Sequence, residues 1–286
     1  YSRMNTYERS FTYNKEVFIL RILVCVKQVP DTAEIKIDPV TNTLIRAGVP
    51  SIVNPFDACA LEVAARIKDA NPGTEITLLS MGPDQAKDAL RECLAVGGDK
   101  AYLCSDRKFG GSDTLATSYI LASAIQSIEE KEGKFDLILA GKQAIDGDTG
   151  QVGPEIAAHM GLAQVTYAAE VTVEGDDIIV KRESDKGYDM ISVQKPAIVT
   201  VVKTEFDPRY PTIKSKMAAM RKEITVITSE DIPDIDLTRC GLKGSPTKVR
   251  KTFTPVKNKN CVIVDEGEVE TSAVKLVEVL AEAKVL

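Results

Sequence analysis

The stretch DLILAGKQAIDGDTGQVGPEIAAHM, residues 136–160, decides the fold class because a glycine-rich loop joins an apolar run to an amphipathic segment. The run LILAG at its start is typical of a strand buried on both faces. Gly147, Gly150 and Gly153 follow at a spacing of three, and Pro154 suits the first turn of a helix. Strand, loop and helix in this order are the repeating unit of parallel α/β sheets.

The same alternation of buried strands and helices continues upstream of this stretch. Short apolar runs predict the strands, and segments with one apolar face predict the helices between them. The predicted strands are 21–28, 74–82, 101–106 and 135–141, and the predicted helices are 57–70, 85–98, 114–133 and 154–162. This pattern predicts an α/β fold with a doubly wound, mainly parallel sheet of the Rossmann type.

After residue 163 the pattern changes to short alternating segments separated by turns rich in Asp and Gly. These segments predict antiparallel additions to the sheet, and PAIVTVVK predicts one more buried strand. We therefore expect an N-terminal extension at 1–18, one α/β domain at 19–230, and an extended C-terminal arm at 231–286. The arm contains TSAVKLVEVLAEA (271–283), an amphipathic helix whose apolar face is expected to pack on another subunit.

The composition narrows the range of functions. The 286-residue chain has a formal net charge of −6, which argues against nucleic acid or an anionic membrane as the main partner. His159 is the single histidine, so a His-dependent triad or a multi-His metal site is not expected. The sequence contains no run of about 18 apolar residues, so a membrane span is not expected. Six cysteines without a C-x-x-C pair favour reduced thiols and a cytoplasmic location.

The loop after the fourth strand is a candidate phosphate site. Glycines let a backbone approach its ligand closely, and a helix N-terminus offers free N–H groups at the positive end of its dipole. Thr149 can act as the N-cap or as a hydroxyl ligand. The carboxyl end of a parallel strand is also where doubly wound folds bind nucleotides. The glycine spacing matches neither the Rossmann nor the Walker motif. A plain turn that caps a helix therefore explains this spacing equally well.

Five segments carry a resemblance to a known family. They are ILVCVKQVPDT, GVPSIVNPFDACALEVA, SMGPDQAKDALRECLAVGGDKAYL, GKQAIDGDTGQVGP and DPRYPTIKSKMAAMRK, in that order. Together they resemble the β subunit of electron transfer flavoprotein, from about residue 19 to the C-terminus. The resemblance implies a fold like that of the adenine nucleotide α-hydrolases, a partner α subunit that holds an FAD and is contacted by the C-terminal arm and helix, and electron exchange with a flavin-dependent dehydrogenase.

The resemblance leaves two ligands open for this subunit. In one branch of the family the β subunit holds AMP as a structural ligand. In the electron-bifurcating branch the same pocket holds a second FAD, which takes a hydride from NADH and divides the electrons between ferredoxin and the α-subunit FAD. The loop from Asp146 to Gly153 is similar to the second form. We therefore expect FAD, with AMP as the alternative, NAD(H) as electron donor or acceptor, and no catalytic side chain.

Individual site residues follow from the resemblance. The strand ends at Cys25 and Met81 are expected to contact the adenine side, Asn54 to bind ribose or phosphate, and Lys27 to lie near the flavin ring. The complete set expected to bind the cofactor is Cys25, Lys27, Asn54, Met81, Gly82, Asp146, Gly147, Asp148, Thr149, Gly150, Gln151 and Val152. Taken singly, Cys25 and Met81 are better explained as core residues, and Asn54 as the start of a helix, whereas the motifs taken together favour the ligand-binding roles.

The segment PRYPTIKSKMAAMRK, residues 208–222, resembles the loop through which this family docks on dehydrogenases. Ile213 and Met217 supply apolar anchors, Lys214 and its basic neighbours supply steering charge, and the segment contains no acid. A solvated helix with one buried face is the plainer interpretation. The pair Ile213-Lys214 replaces the Leu-Pro of the acyl-CoA-linked members, so acyl-CoA and 2-hydroxyacid (lactate-type) dehydrogenases both remain open. Besides a bifurcating subunit and a carrier without bifurcation, a third possible function is that of a nucleotide-binding module without a redox role.

Overall fold

A computed structural model describes residues 19–31, 50–250 and 261–286. These residues divide into a larger unit, which holds the first two ranges, and a smaller unit, which holds the third. The N-terminal extension expected at 1–18 lies outside the described residues.

The larger unit is built on a nine-stranded sheet with the spatial order β11-β5-β4-β1-β6-β10-β7-β8-β9, while β2 and β3 form a separate antiparallel pair. The strands are β1 (Arg21–Cys25), β2 (Gln28–Pro30), β3 (Ser51–Val53), β4 (Glu75–Met81), β5 (Lys100–Cys104), β6 (Leu137–Gly141), β7 (Ala163–Glu174), β8 (Asp177–Ser184), β9 (Gly187–Gln194), β10 (Ala197–Val201) and β11 (Thr225–Ile227). Every pairing from β11 to β7 is parallel, and β7, β8 and β9 pair antiparallel. The predicted doubly wound sheet with antiparallel additions is confirmed.

Helices cover both faces of the parallel part of the sheet. The helices are α1 (Pro55–Ala70), α2 (Lys87–Val96), α3 (Thr114–Glu132), α4 (Val152–Met160), α5 (Ile213–Arg221), α6 (Gly241–Gly244) and α7 (Val269–Glu282). Ile22 and Val24 of β1 pack with α1 and α2, whereas Leu23 packs with α3 and α4. This alternation follows from the two-residue period of a strand, and it explains why the central parallel strands carry apolar residues on both faces.

The larger unit continues beyond the boundary expected at residue 230. Ile232 and Cys240 are buried in the core that contains α3 and α4. The hydroxyl of Ser245 accepts a hydrogen bond from the N–H of Asp113 at 2.9 Å. Residues 231–250 therefore belong to the larger unit, and short turns rather than periodic helices hold them there.

The smaller unit contains α7, close to the helix expected at 271–283. Within this unit Val274 and Val277 are exposed, and Leu280 is half-buried. The amphipathic pattern thus predicted the helix, whose apolar face remains accessible within its own unit.

Candidate functional site

The candidate site lies where the strand order reverses. β1 pairs with β4 on one side and with β6 on the other, so the chain winds away from β1 in both directions. In doubly wound folds the crevice beyond the carboxyl ends of two such strands is where ligands bind. The segment that follows β1 (residues 26–31) and the loop that follows β6 (residues 142–151) border this crevice.

The loop after β6 places a run of backbone N–H groups at the start of α4. Asp148 and Gly150 have positive φ, +52° and +64°, and turn the chain into the helix. Gln151 is the N-cap, and its side chain makes no capping bond. Thr149, expected as a possible N-cap, does not cap the helix. Among the described residues the N–H groups of 149–152 have no acceptor, so they are available to a ligand.

Side chains of the loop are held by the protein itself. The carboxylate of Asp146 accepts a hydrogen bond from Nζ of Lys27 at 2.7 Å. Asp148 accepts one from the amide of Gln143 at 2.8 Å, and Gln151 accepts one from the hydroxyl of Thr114 at 3.1 Å. The loop therefore directs its acidic groups toward protein partners and leaves its main-chain amides for an anion.

Asn54 connects the start of α1 to the loop after β6. The residue is fully buried, and its side-chain NH₂ donates to the carbonyl of Gln143 at 2.8 Å. Its side-chain oxygen accepts from the N–H of Ile145 at 3.1 Å. In the structure its side chain fixes the loop after β6, and the expected contact of Asn54 with ribose or phosphate stays a prediction.

Asp57, which sequence analysis did not single out, connects both borders of the crevice. Its carboxylate accepts hydrogen bonds from the N–H of Lys27 at 2.7 Å and from the N–H of Gly141 at 3.0 Å. Burial raises the pKa of Asp57 to about 7, against the opposing effect of these bonds and of the Lys27 charge. The available signal was an acid in the first turn of a helix that is otherwise apolar there.

Two glycines permit the close packing around the site. A Cβ at Gly141 would lie 2.3 Å from Oδ1 of Asp57, and a Cβ at Gly153 would lie 2.6 Å from the methyl of Thr200. Both distances are shorter than any Cβ contact allows. Gly141 thus lets α1 approach the end of β6, and Gly153 lets α4 approach β10.

The remaining cofactor-binding candidates lie at the same edge of the sheet. Cys25 ends β1 and Met81 ends the adjacent strand β4. The N–H of Gly82 donates to the carbonyl of Cys104 at 3.0 Å. Burial, with smaller effects of Asp57 and Cys104, raises the pKa of Cys25 to about 12, so its thiol is protonated at neutral pH.

The docking candidates lie on α5, which packs on α2 through the buried Ala219. Ile213 is 82% exposed and Met217 is 56% exposed, and Lys214 is exposed as well. Met220, at 73% exposure, extends the same helical face, because positions i, i+4 and i+7 align. Sequence analysis did not include Met220. We call the exposed side chains of Ile213, Met217 and Met220 the apolar stripe.

An ion-pair network fixes the chain just before α5. Arg209 binds the buried carboxylate of Glu62 through two guanidinium nitrogens, at 2.8 and 3.1 Å, and its N–H donates to the same carboxylate at 3.0 Å. Arg209 also reaches Asp69 at 2.8 Å. Since both acids belong to α1, the segment that carries the apolar stripe is anchored to the helix that begins at the crevice.

The described part of the chain was searched for metal-binding groups and for membrane-spanning helices. It contains no group of three or more His, Cys, Asp or Glu side chains arranged to hold a metal ion. His159 lies against the ring of Tyr119, with ring centroids 5.8 Å apart. None of the helices described is long and apolar enough to span a membrane.

Fold and site together define the class: a doubly wound α/β protein with a glycine-rich loop, rich in free N–H groups, at its topological switch point. Comparison with known proteins defines the family. Residues 41–232 match the electron transfer flavoprotein domain. The chain is 53% identical to the electron transfer flavoprotein subunit beta of Megasphaera elsdenii over 271 residues, covering 93% of this chain and all of that protein.

Two further relatives have other names. The caffeyl-CoA reductase-Etf complex subunit CarD of Acetobacterium woodii is 49% identical over 267 residues, covering 93% of this chain and all of CarD. Protein FixA of Azorhizobium caulinodans is 42% identical over 264 residues, covering 91% and 94% of the two chains. The chain belongs to the β subunits of the electron transfer flavoprotein family. The β subunits of this family pair with an α subunit.

Proposed function

We propose that this β subunit holds FAD in the crevice between β1 and β6 and serves an electron-bifurcating electron transfer flavoprotein. In that role the crevice would hold a flavin whose chemistry would supply hydride exchange with NAD(H) and division of the electron pair between ferredoxin and, through the FAD of the α subunit, a partner dehydrogenase. The observation that carries the proposal is the run of N–H groups at residues 149–152 without acceptors among the described residues. These donors, at a helix N-terminus beside a strand end, fit a diphosphate.

The residues of the crevice fit such a ligand in two respects. Gly150 turns the chain with φ +64°, and a Cβ at Gly147 would meet open space, so neither position obstructs a phosphate. The acids of the loop, Asp146 and Asp148, are bound to Lys27 and Gln143, so their carboxylates do not occupy the anion site. The chain itself therefore binds the phosphates, orients the loop and supplies hydrogen-bond donors, while the flavin supplies the redox chemistry.

The choice of FAD over AMP rests on the loop and on the named relatives. The glycines at 147 and 150 remove side chains from the path of a diphosphate. The relative CarD belongs by its name to a reductase-Etf complex, which agrees with a subunit that works within a larger redox assembly. AMP binding in a carrier without bifurcation is the alternative that the experiment must separate.

Nucleotide analysis of the αβ heterodimer tests the proposal directly. We expect two FAD molecules per αβ pair after denaturation and chromatography, and bleaching of flavin absorbance by NADH. One FAD and one AMP per pair, without reduction by NADH, overturns bifurcation and supports the carrier function. One FAD and no second nucleotide overturns the nucleotide site as well.

A pair of glycine substitutions tests the loop as the phosphate site. Gly150→Glu places a charged side chain among the free amides, and we expect at least a tenfold loss of retained nucleotide from this subunit. Gly175→Glu is the matched control, because Gly175 has a similar φ of +61° and open space around it, in the turn between β7 and β8. Equal retention in the two variants contradicts phosphate binding by the loop.

The partner dehydrogenase is proposed to dock on the apolar stripe and the basic side chains around it. Lys214, Lys216 and Arg221 lie on α5, and the segment 208–222 contains no acid. An acyl-CoA or a 2-hydroxyacid dehydrogenase with an acidic, apolar surface fits this charge pattern. Mass identification of the dehydrogenase that copurifies with the heterodimer decides between the two, and copurification of neither contradicts both.

A further inference from the structure

Asp57 is placed where two separate parts of the crevice meet. One oxygen of its carboxylate binds the N–H of Lys27, just after β1, and the other binds the N–H of Gly141, the last residue of β6. The two amides are 114 positions apart in the chain and lie at the carboxyl ends of two neighbouring parallel strands. A single buried side chain in the first turn of α1 thus sets their separation.

We propose that Asp57 is a positioning residue whose ionisation controls the spacing of the two crevice borders. Ionised, Asp57 holds together the segment after β1 and the end of β6, where the loop begins. Protonated, it releases one of them. The consequence for a bound nucleotide rests on the proposed function, whereas the movement of the two borders does not.

Hydrogen-bond chemistry gives the direction of this effect. A carboxylate is an acceptor on both oxygens, so it satisfies both N–H groups at once. Protonation turns one oxygen into a hydroxyl, which accepts more weakly and carries a proton that needs an acceptor of its own where an N–H group already points. A buried N–H left without its acceptor costs about 1–3 kcal/mol, enough to displace the chain that carries it.

The surroundings make Asp57 the group that titrates near neutral pH. Burial raises its pKa to about 7. The titratable groups facing it are Cys25 on β1, Cys93 on α2 and the ammonium of Lys27, which is paired with Asp146. Burial raises the pKa of both thiols, that of Cys25 to about 12, so both stay neutral between pH 5 and 9.

Two neighbours of Asp57 support a role in position. Gly141 has no side chain, and a Cβ there would lie 2.3 Å from Oδ1 of Asp57, so the hydrogen bond requires glycine. Asn54, one turn earlier, holds the same loop through Gln143 and Ile145 with an amide that does not titrate. The start of α1 therefore contacts the loop through Asn54, which does not titrate, and the end of β6 through Asp57, which responds to pH.

Hydrogen exchange of the αβ heterodimer between pH 5.5 and 8.5, with and without bound nucleotide, tests the proposal. Protection is corrected for the intrinsic exchange rate and read in peptides covering 26–31 and 137–147. We expect protection to rise about tenfold as the pH increases through 7. A tenfold change corresponds to the gain of one hydrogen bond of about 1.4 kcal/mol. Asp57→Asn is expected to remain at the low level throughout, because its NH₂ group cannot accept.

The matched control is Glu129→Gln, another buried carboxylate that accepts from the N–H of Phe135 at 3.2 Å, on α3. We expect its pH profile in the two peptides to equal that of the unaltered protein. A flat profile in the unaltered protein overturns the proposal without any variant, and so does an Asp57→Asn profile that still rises.

The two proposals fail separately in this design. Nucleotide content is measured on the same samples. A step in protection without any nucleotide in this subunit overturns the proposed function and leaves the role of Asp57 standing. Retained nucleotide with a flat protection profile overturns the role of Asp57 and leaves the proposed function standing. Where both hold, nucleotide dissociation is expected to be several-fold faster in Asp57→Asn.

Discussion

The ammonium group of Lys27 lies 2.7 Å from the carboxylate of Asp146, although 119 positions separate the two residues in the chain. The pair joins the segment after β1 to the loop after β6, and the buried carboxylate of Asp57 joins that segment to the last residue of β6. Both side chains of the outer pair are partly exposed, so its contribution to stability is about 0–1 kcal/mol. Its main effect is on where the loop lies.

Removal of the Lys27 ammonium is expected to weaken nucleotide binding more than folding. In Lys27→Met we expect the nucleotide dissociation constant to rise about two- to fivefold, the equivalent of about 0.4–1 kcal/mol for an exposed pair. Isothermal titration on the stripped heterodimer measures it. Lys275→Met breaks a comparably exposed pair with Glu278 on α7 and is the control. An equal effect in both variants contradicts a local role for Lys27.

Gly141 is expected to be intolerant of even one methyl group. A Cβ there would lie 2.3 Å from Oδ1 of Asp57 and 2.7 Å from the backbone of Phe56, and neither atom can move freely. Gly141→Ala should lower the free energy of unfolding by about 3 kcal/mol, as in an overpacked core. Urea denaturation measures this loss.

Gly147→Ala is the comparison for that substitution. A Cβ at Gly147 meets no atom within 4 Å, and its φ lies outside the left-handed region. We expect its unfolding free energy to stay within about 0.5 kcal/mol of the unaltered protein. Similar losses at both glycines contradict the close approach of α1 to β6.

The sheet and its helices could be predicted because their residues repeat. In β1 every position from Ile22 to Val24 is buried, so an unbroken apolar run was the correct sign of a parallel strand with helices on both faces. The loop after β6 could be located from its glycines and from its place after a strand. Local pattern therefore carried the fold class and the position of the candidate site.

The parts that could not be predicted depend on contacts between distant residues. The acceptor role of Asp57 arises only when Lys27 and Gly141 meet at adjacent strand ends. Asn54 matched a ligand-binding motif, but which partner its amide takes is decided by the fold. Residues 231–250 lack periodicity and look like an arm, yet Ser245 and its neighbours pack against the start of α3.

The anchor of the docking segment is expected to be sensitive to pH through Glu62. Burial raises the pKa of Glu62, but the hydrogen bonds and charge of Arg209 outweigh burial and hold the pKa below its ordinary value. A pKa lowered by folding means that the pair stabilises the protein above the pKa of the unfolded chain, about 4.5, and loses this effect as the pH falls further.

Arg209→Ala leaves the Glu62 carboxylate with Arg66 alone, and we expect a loss of about 2 kcal/mol at pH 7. The difference from the unaltered protein should shrink below pH 4.5, where Glu62 is protonated in the unfolded chain. Urea denaturation at pH 7 and pH 4 measures both values. Asp69→Asn, which removes only the exposed part of the network, is expected to cost less than about 1 kcal/mol. A constant difference across pH contradicts the assignment to Glu62.

The apolar stripe on α5 is expected to govern electron transfer to the dehydrogenase and not the stability of the subunit. Ile213 is 82% exposed, so Ile213→Asp removes no buried contact within the subunit. In the docked complex the new carboxylate would have to be buried in an apolar pocket of the partner, which is unfavourable. We expect the apparent KM for the heterodimer as electron acceptor or donor to rise at least tenfold, with an unchanged melting temperature. Steady-state assays with the copurifying dehydrogenase measure it.

A matched surface substitution separates docking from a general effect of added charge. Met190 on β9 is 68% exposed and lies outside α5, so Met190→Asp adds the same carboxylate to a comparably exposed apolar position. We expect the KM of this control to be unchanged. Lys214→Glu should raise KM mainly at low salt, because steering charges act over about 10 Å at 0.1 M ionic strength and are screened above it. A salt-independent effect of Lys214→Glu, or an equal loss in Met190→Asp, shows that partners do not dock on α5.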